Sequence, residues 1–331
     1  MFRWAGPSIA AVVAATAITA MSGTATAAVA RPGPIVPAPT PVPVPPAPGW
    51  AGVAGVAHRG ASAYAPENTI AAFRLAAAQR VDMFELDVQE TKDHELVVVH
   101  DTGLARTTDV EKVFPGAAPW TVSSFTLAQI RRLDAGSWFD ARFKGERIPT
   151  LGETLRGMPE AGPGLLLEIK SPALYPGIEG RIAAELRRNP RWLDPDPLGR
   201  RLVVQSFDWD SMRRFHALLP AVPIGLIGTP TEAELPGLAE FADQINPTSA
   251  DLTGSLVESV HALGMEVLTW TVDDPSGMRG VLRLGVDGVI SNKPDVLRTV
   301  LDEGSRATAR QAGLQPARQA GRRPVHRAEA A

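Results

Sequence analysis

The sequence of 331 residues contains no cysteine. Disulfide bonds, thiolate metal ligands and cysteine nucleophiles are therefore excluded. A strong excess of one charge is also lacking, because 33 basic residues face 36 acidic ones and the formal net charge is −3. Hydrophobic residues make up 44% of the chain and charged residues 21%, which is an ordinary composition for a globular enzyme.

The apolar run near the N-terminus is too short for a membrane-spanning helix. Ile9–Ala20 falls below the roughly 20 apolar residues that such a helix needs. The run follows Arg3 and precedes a segment of small residues, which is the pattern of a signal peptide. Residues 1–30 are therefore predicted to be a signal peptide of a secreted or extracytoplasmic protein, cleaved after Ala28 or Ala30.

Two segments of unusual composition flank the predicted globular region, residues 51–302. Residues 31–50 are rich in proline and predict an extended linker. Residues 303–331 carry six arginines and two glutamates with almost no large apolar residue, which predicts a disordered basic tail. Nucleic-acid binding is not expected, because this tail has no aromatic side chains for stacking and the rest of the chain is acidic. A position close to the cell wall or a membrane surface is left open.

Strand-like runs alternate with helix-like runs between these segments, which indicates a parallel α/β fold. Nine strands are predicted: Val53–Ala57, Met83–Val88, Leu96–His100, Leu165–Ile169, Leu202–Gln205, Ile224–Ile227, Gln244–Asn246, Glu266–Val272 and Gly288–Ser291. The turn at residues 91–94 is too short for a parallel crossover, so the third strand should pair antiparallel with the second. The other eight strands predict a (β/α)8 TIM barrel. Residues 101–149 show no strand–helix repeat and are predicted to be a small insertion after the hairpin.

Period-two alternation places three carboxylates on one side of the predicted sheet. Glu85 and Asp87 alternate with large apolar residues on the second strand, and Glu168 and Lys170 do so on the fourth predicted strand. The three acids should converge where barrel active sites lie. Carboxylates without cysteine favour one hard divalent cation, Mg²⁺ or Ca²⁺, over zinc. The alternative is a structural network of ion pairs with Arg59 and Lys170, which is costly without a metal.

Short motifs in a fixed order make the chain similar to the glycerophosphodiester phosphodiesterase family. The similarity extends from about Val53 to Val300, and it depends on the ordered set because each motif alone is weak. The matching motifs are His58-Arg59-Gly60, Pro66-Glu67-Asn68-Thr69, Glu85-Leu86-Asp87-Val88, His100-Asp101, Arg106-Thr107-Thr108, Leu167-Glu168-Ile169-Lys170, Gln205-Ser206-Phe207, Thr269-Trp270-Thr271 and Gly285-Val286-Asp287-Gly288.

The resemblance implies roles for individual residues. His58 and His100 correspond to the family's acid/base pair, a role that suits imidazoles titrating near the working pH. Arg59 and Lys170, together with the cation, are candidates for neutralising a substrate phosphate. Trp270 is expected to form a wall for the glycerol moiety or, alternatively, to pack the barrel top. Which histidine is the acid is left open.

The expected activity is metal-dependent hydrolysis of glycerophosphodiesters to sn-glycerol 3-phosphate and an alcohol. A lysophospholipase D-type activity is an alternative, and it requires an apolar groove for which Phe139 and Phe143 are candidates. Wall teichoic acid is a third candidate substrate. An inactive binding module is an alternative of another class, and the intact histidines and carboxylates argue against it.

One position departs from the family pattern. Asn292 stands where the family usually has aspartate, which leaves open any role assigned to that position. The remaining histidines are His94, His216, His261 and His326, and surface positions are expected for them.

Overall fold

The computed structural model describes residues 50, 52–159, 161–196 and 200–311. The predicted signal peptide, most of the predicted linker and residues 312–331 lie outside this part, so the export signal stays a prediction. Within the described part, nine strands form one sheet: β1 (Ala54–Ala57), β2 (Met83–Glu90), β3 (Leu96–Val98), β4 (Gly164–Ile169), β5 (Leu202–Ser206), β6 (Ile224–Ile227), β7 (Gln244–Asn246), β8 (Glu266–Thr269) and β9 (Gly288–Ser291).

The sheet closes into a barrel because β1 pairs in parallel with both β2 and β9. β2 pairs in parallel with β4, and each later strand pairs in parallel with the next. β3 is the exception, since it runs antiparallel to β2 with Val98 opposite Val88. The predicted eight-stranded parallel barrel with a hairpin on its second strand is therefore confirmed.

Helices of different length connect the strands. They are α1 (Ile70–Ala78), α2 (Val110–Val113), α3 (Leu127–Ile130), α4 (Leu151–Gly157), α5 (Ile178–Arg188), α6 (Trp209–Leu218), α7 (Leu235–Leu238), α8 (Gly254–His261), α9 (Pro275–Arg283) and α10 (Pro294–Gln311), with short 3₁₀ turns between some of them. None of the helices in the described part is long and apolar enough to cross a membrane.

The strands bury apolar side chains on both faces. Outward-pointing residues such as Phe84 and Leu167 belong to the large core between sheet and helices. Inward-pointing residues such as Met83 and Leu166 form a small apolar layer inside the barrel. Burying each such side chain contributes about 1.5–3 kcal/mol to the free energy of unfolding. The inner layer fills the barrel below the carboxyl ends of the strands, so the polar residues of the same face stand above it.

The insertion between β3 and α4 has its own apolar core. Leu104, Val122, Ile130 and Leu133 are fully buried there and pack against Val97 of the hairpin. The insertion therefore lies on the hairpin, beside the carboxyl end of the barrel.

The predicted tail begins later than the sequence indicates. The sequence predicts disorder from Glu303, but α10 continues as a helix to Gln311. Gly304 lies so close to the Trp50 indole that a Cβ atom there would overlap the ring, and Glu303 Oε2 forms an ion pair with Arg279 Nη2 at 2.7 Å. The contact between α10 and Trp50 could not be predicted from the composition of residues 303–311. It involves a single glycine and a tryptophan that is more than 250 residues away in the chain.

Candidate active site

A cavity of about 210 Å³ opens at the carboxyl ends of the strands. It is lined by His58, Arg59, Glu85, His100, Glu168, Lys170, Gln205, Phe207, Ile227, Trp270 and Ile290. These include all the site residues predicted from the sequence except Asp87, which belongs to the carboxylate cluster with Glu85 and Glu168 and is 1% exposed.

The three predicted metal ligands converge. Glu85, Asp87 and Glu168 are all buried, and each offers a carboxylate oxygen that lies within 4.8 Å of the other two. Asp87 Oδ1 accepts no hydrogen bond from any residue in the described part of the chain. A buried carboxylate oxygen without a donor is costly, and oxygen donors in such a set suit a hard divalent cation. The residues present therefore fit a cation site.

Two local cations offset part of the negative charge. Lys170 Nζ lies 2.7 Å from Glu168 Oε1 and 3.8 Å from Asp87 Oδ1, and Arg59 Nε lies 3.6 Å from Asp87 Oδ2. Glu85 instead accepts a hydrogen bond of 2.6 Å from the backbone N–H of Arg59. Among the described residues, no lysine or arginine side chain is within ion-pairing distance of Glu85. The alternative of a structural ion-pair network therefore fits Asp87 and Glu168, which pair with Arg59 and Lys170, but not Glu85.

Crowding of the acids alters their protonation. Burial, followed by the charges of Asp87 and Glu168, raises the pKa of Glu85 well above its usual range. Burial and the charge of Asp87 raise the pKa of Glu168 to about 7. Burial opposes the charge on Lys170, but the carboxylates of Glu168 and Asp87 raise the pKa of that ammonium group. The cluster therefore holds more negative charge than its neighbours stabilise.

The turn after β1 supplies several of the groups that hold these carboxylates. Arg59 has a φ of +54° and Asn68 a φ of +58°, in the left-handed region that asparagine tolerates better than most residues. Asn68 Nδ2 donates to Asp87 Oδ2 at 2.8 Å, and Asn68 Oδ1 accepts from the backbone N–H of Asp87 at 3.2 Å. The sequence analysis identifies Asn68 only as part of the Pro66-Glu67-Asn68-Thr69 motif.

His100 belongs to a network of charged side chains. Its Nδ1 lies 2.7 Å from Asp101 Oδ1. Arg106 contacts both oxygens of Asp101, at 2.5 and 3.0 Å, and both oxygens of Glu67, at 2.8 and 2.7 Å. Glu67 Oε1 also accepts from Arg59 Nη1 at 3.0 Å. Hydrogen bonds from Arg106 lower the pKa of Asp101 to about 2. Arg59, a predicted phosphate ligand, is therefore linked to His100, a predicted catalytic residue, through Glu67, Arg106 and Asp101.

His58 has a neutral partner instead. Its Nδ1 lies 2.7 Å from Asn292 Oδ1. Burial, with a further contribution from the positive charge of Arg59, lowers the pKa of His58 to about 4. His58 is therefore uncharged at neutral pH.

Aromatic side chains form one wall of the cavity. The rings of Trp270 and Phe207 meet edge to face at 5.7 Å, and Trp270 Nε1 donates to the Asn246 carbonyl at 2.9 Å, which fixes the indole. Phe207 is 55% exposed, and its ring centroid lies 5.4 Å from Lys170 Nζ. No role for Phe207 is predicted from the sequence.

The candidates for an acyl-chain groove lie elsewhere. Phe139 and Phe143 pack edge to face at 5.8 Å and contact Trp138 and Arg142 on the insertion. They do not line the 210 Å³ cavity.

The other described histidines also lie outside the cavity. His94 Nδ1 contacts Glu90 Oε1 in the hairpin turn, and His261 Nε2 lies 2.7 Å from Asp287 Oδ2. His216 differs from the expected surface position, because its ring is half-buried against Phe241.

Replacement of Glu85 by glutamine tests whether the cluster is repulsive without metal. A carboxyl group with a raised pKa stabilises the fold below its ordinary pKa, and this stability is lost as pH rises through the raised value. We expect the free energy of unfolding of metal-free wild-type protein to fall between about pH 5 and 8. Glu85→Gln should show a shallower fall and equal or greater stability at pH 8, in thermal melts with a chelator present.

Glu179→Gln provides the matched control. Glu179 is a buried carboxylate that accepts from Ser211 Oγ at 2.7 Å and pairs with Arg214 Nη2 at 2.8 Å. Burial opposes its charge, but these partners lower its pKa, so its contribution is present at neutral pH and lost in acid. This variant should be less stable than wild type at pH 8. If Glu85→Gln instead loses about 3–5 kcal/mol at pH 8, Glu85 is part of a structural ion-pair network.

Comparison with known proteins identifies the family and supports the assignment of the fold. A model of the glycerophosphoryl diester phosphodiesterase family matches residues 58–296. A glycerophosphodiester phosphodiesterase of Caldanaerobacter subterraneus subsp. tengcongensis is 36% identical over 253 residues, which cover 75% of this chain and 98% of that protein. One from Bacillus subtilis is 34% identical over 259 residues, covering 74% and 85%.

Solved structures of phosphodiesterases are also similar to this chain. An Oleispira antarctica phosphodiesterase, in complex with the product sn-glycerol-3-phosphate, is similar with a TM-score of 0.66 and 30% identity, covering 75% of this chain and 96% of that one. The glycerophosphodiester phosphodiesterase of Agrobacterium tumefaciens has a TM-score of 0.61 and 30% identity, covering 74% and 98%. The expected fold and enzyme class are confirmed, and the chain belongs to the glycerophosphoryl diester phosphodiesterase family.

Proposed function

We propose that the chain is a metal-dependent phosphodiesterase that hydrolyses glycerophosphodiesters to sn-glycerol 3-phosphate and an alcohol. The observation that carries this proposal is one cavity lined by two histidines, two cationic side chains and two members of the three-carboxylate cluster. The Oleispira antarctica relative, which binds sn-glycerol-3-phosphate as product, supports the substrate class.

Glu85, Asp87 and Glu168 would hold one divalent cation, and their oxygen donors suit Mg²⁺ or Ca²⁺. When bound, such a cation supplies positive charge against the phosphate oxygens. Arg59 and Lys170 face the same cavity and are held by the carboxylates beside them. They would bind and orient the phosphate group, and they stay charged because those carboxylates raise the pKa of each against the effect of burial.

The two histidines have partners that suit different roles. His58 is bonded to a neutral amide, so its Nε2 would accept the proton of the attacking hydroxyl as the new P–O bond forms. His100 is held through Nδ1 by the Asp101 carboxylate, which leaves its Nε2 to give a proton to the departing alkoxide as the old P–O bond would break. The attacking oxygen is that of water, which gives the phosphomonoester directly, or that of a substrate hydroxyl, which gives a cyclic phosphodiester that water opens in a second step with the two histidines in exchanged roles.

The size and walls of the cavity favour a compact head group over a lipid chain. Its volume is about 210 Å³, and the aromatic residues of the insertion do not line it. Trp270 would contact the glycerol moiety, with Phe207 against it.

Product identification tests the substrate assignment. The protein is incubated with glycerophosphocholine and, separately, with lysophosphatidylcholine, each with EDTA or with added Mg²⁺ or Ca²⁺. We expect sn-glycerol 3-phosphate and choline from the first substrate, only with metal. Turnover of lysophosphatidylcholine alone would establish the lysophospholipase D-type alternative, and full activity after exhaustive chelation would exclude metal dependence.

Alanine substitution tests the two histidines. His58→Ala and His100→Ala should each lower kcat at least about 10²-fold, since each removes a proton-transfer group. His261→Ala is the matched control, because His261 also has a carboxylate partner but lies outside the cavity, and its kcat should stay within about twofold of wild type. A near-normal kcat for His100→Ala would remove that residue from the mechanism.

A further inference from the structure

We propose that Asn292, held in place by Asp273, is the positioning residue for His58. It fixes the imidazole in the tautomer that carries its hydrogen on Nδ1 and leaves Nε2 free to accept a proton. The catalytic meaning of this tautomer rests on the proposed function, whereas the tautomer itself can be measured without any substrate.

Asn292 directly follows β9 and is bound on both sides of its amide. Its Oδ1 lies 2.7 Å from His58 Nδ1, and its Nδ2 donates to Asp273 Oδ2 at 2.7 Å. Its backbone N–H donates to Asp273 Oδ1 at 2.8 Å. The same oxygen of Asp273 also accepts from Ser291 Oγ at 3.0 Å. Asp273 thus holds both the backbone and the side chain of Asn292.

These contacts determine which way the amide points. An ionised carboxylate can only accept hydrogen bonds, so the NH₂ group of Asn292 must face Asp273. The reversed amide would place its oxygen against a carboxylate oxygen. The amide oxygen therefore faces His58 and can only accept, which requires the hydrogen of the imidazole to be on Nδ1.

The backbone around His58 is tied to the same strand end. The N–H of His58 donates to the Ser291 carbonyl at 2.9 Å, and the N–H of Ala63 donates to the Asn292 carbonyl at 3.0 Å. Ser62 Oγ lies 2.7 Å from the His58 carbonyl and 2.8 Å from Asn292 Oδ1. Because main chain and ring are held by the same two residues of β9 and its end, the direction of Nε2 is defined.

The arrangement explains the departure from the family pattern at this position. An aspartate at 292 would place its carboxylate within about 3 Å of Asp273, where two like charges repel strongly. In this chain the negative charge is instead on Asp273, on the far side of the amide from His58. His58 therefore keeps a neutral partner, in contrast to His100 with Asp101.

Three variants test the proposal: Asn292→Leu, Asn292→Asp, and the exchange variant Asp273→Asn/Asn292→Asp. The leucine removes the acceptor. Asn292→Asp alone places the new carboxylate directly against that of Asp273. The exchange restores an amide donor toward residue 292 and an acceptor toward His58. Asp274→Asn is the control, because it makes the same chemical change one residue further on, and asparagine also caps a helix well.

The readouts are the ¹⁵N chemical shifts of the His58 ring in histidine-labelled protein, assigned by their loss in His58→Ala, together with kcat and KM. Wild type, the exchange variant and Asp274→Asn should show hydrogen on Nδ1. Asn292→Leu should show a mixture of tautomers and a kcat lowered at least about tenfold with KM within about twofold. Asn292→Asp should lose a similar factor, and the exchange should recover most of it.

The proposal is overturned if Asn292→Leu keeps the Nδ1–H tautomer, or if the exchange variant is no more active than Asn292→Asp. Failure of wild type to hydrolyse any glycerophosphodiester would contradict the proposed function, while the nitrogen shifts would still decide the tautomer. If circular dichroism shows that Asn292→Leu does not fold, the ¹⁵N shifts and melting curve of the exchange variant are compared with those of Asn292→Asp instead.

Discussion

Repulsion among three buried carboxylates is the constraint on which the rest of the site depends. Glu85, Asp87 and Glu168 are forced together because β2 and β4 are neighbours in register, with Asp87 directly opposite Glu168. Lys170 and Arg59 offset part of the charge and at the same time face the cavity, where a substrate phosphate would lie. A cation would complete the balance, and the carboxylates would then form a cation site beside the anion site formed by Lys170 and Arg59.

The two histidines line the same cavity and differ in what holds them. His100 is bonded to a carboxylate that Arg106 fixes, and Arg106 continues through Glu67 to Arg59. His58 is bonded to the Asn292 amide, and the Asp273 carboxylate accepts a hydrogen bond from the other end of that amide. The partner of His58 is thus a neutral amide and that of His100 a carboxylate, a difference that the proposed division of acid and base roles depends on.

The barrel strands and the carboxylate cluster could be predicted from the sequence, because both follow from local sequence patterns. Period-two alternation located the strands and the side of the sheet on which Glu85 and Asp87 lie, and a four-residue turn identified the hairpin. The partners of the histidines could not be predicted in this way, since His58 and Asn292 are 234 residues apart in the chain. The docking of Gly304 on Trp50 was missed for the same reason, because composition alone does not show a contact between distant segments.

The most direct test of the account is diffraction from crystals grown with saturating Ca²⁺. We expect one ion bound by oxygens of Glu85, Asp87 and Glu168 at about 2.3–2.6 Å, with Lys170 and Arg59 still facing the cavity. Strong electron density for a single ion at these carboxylates would establish the cation site. A structure without an ion there, in which Lys170 alone bridges Glu168 and Asp87, would contradict it.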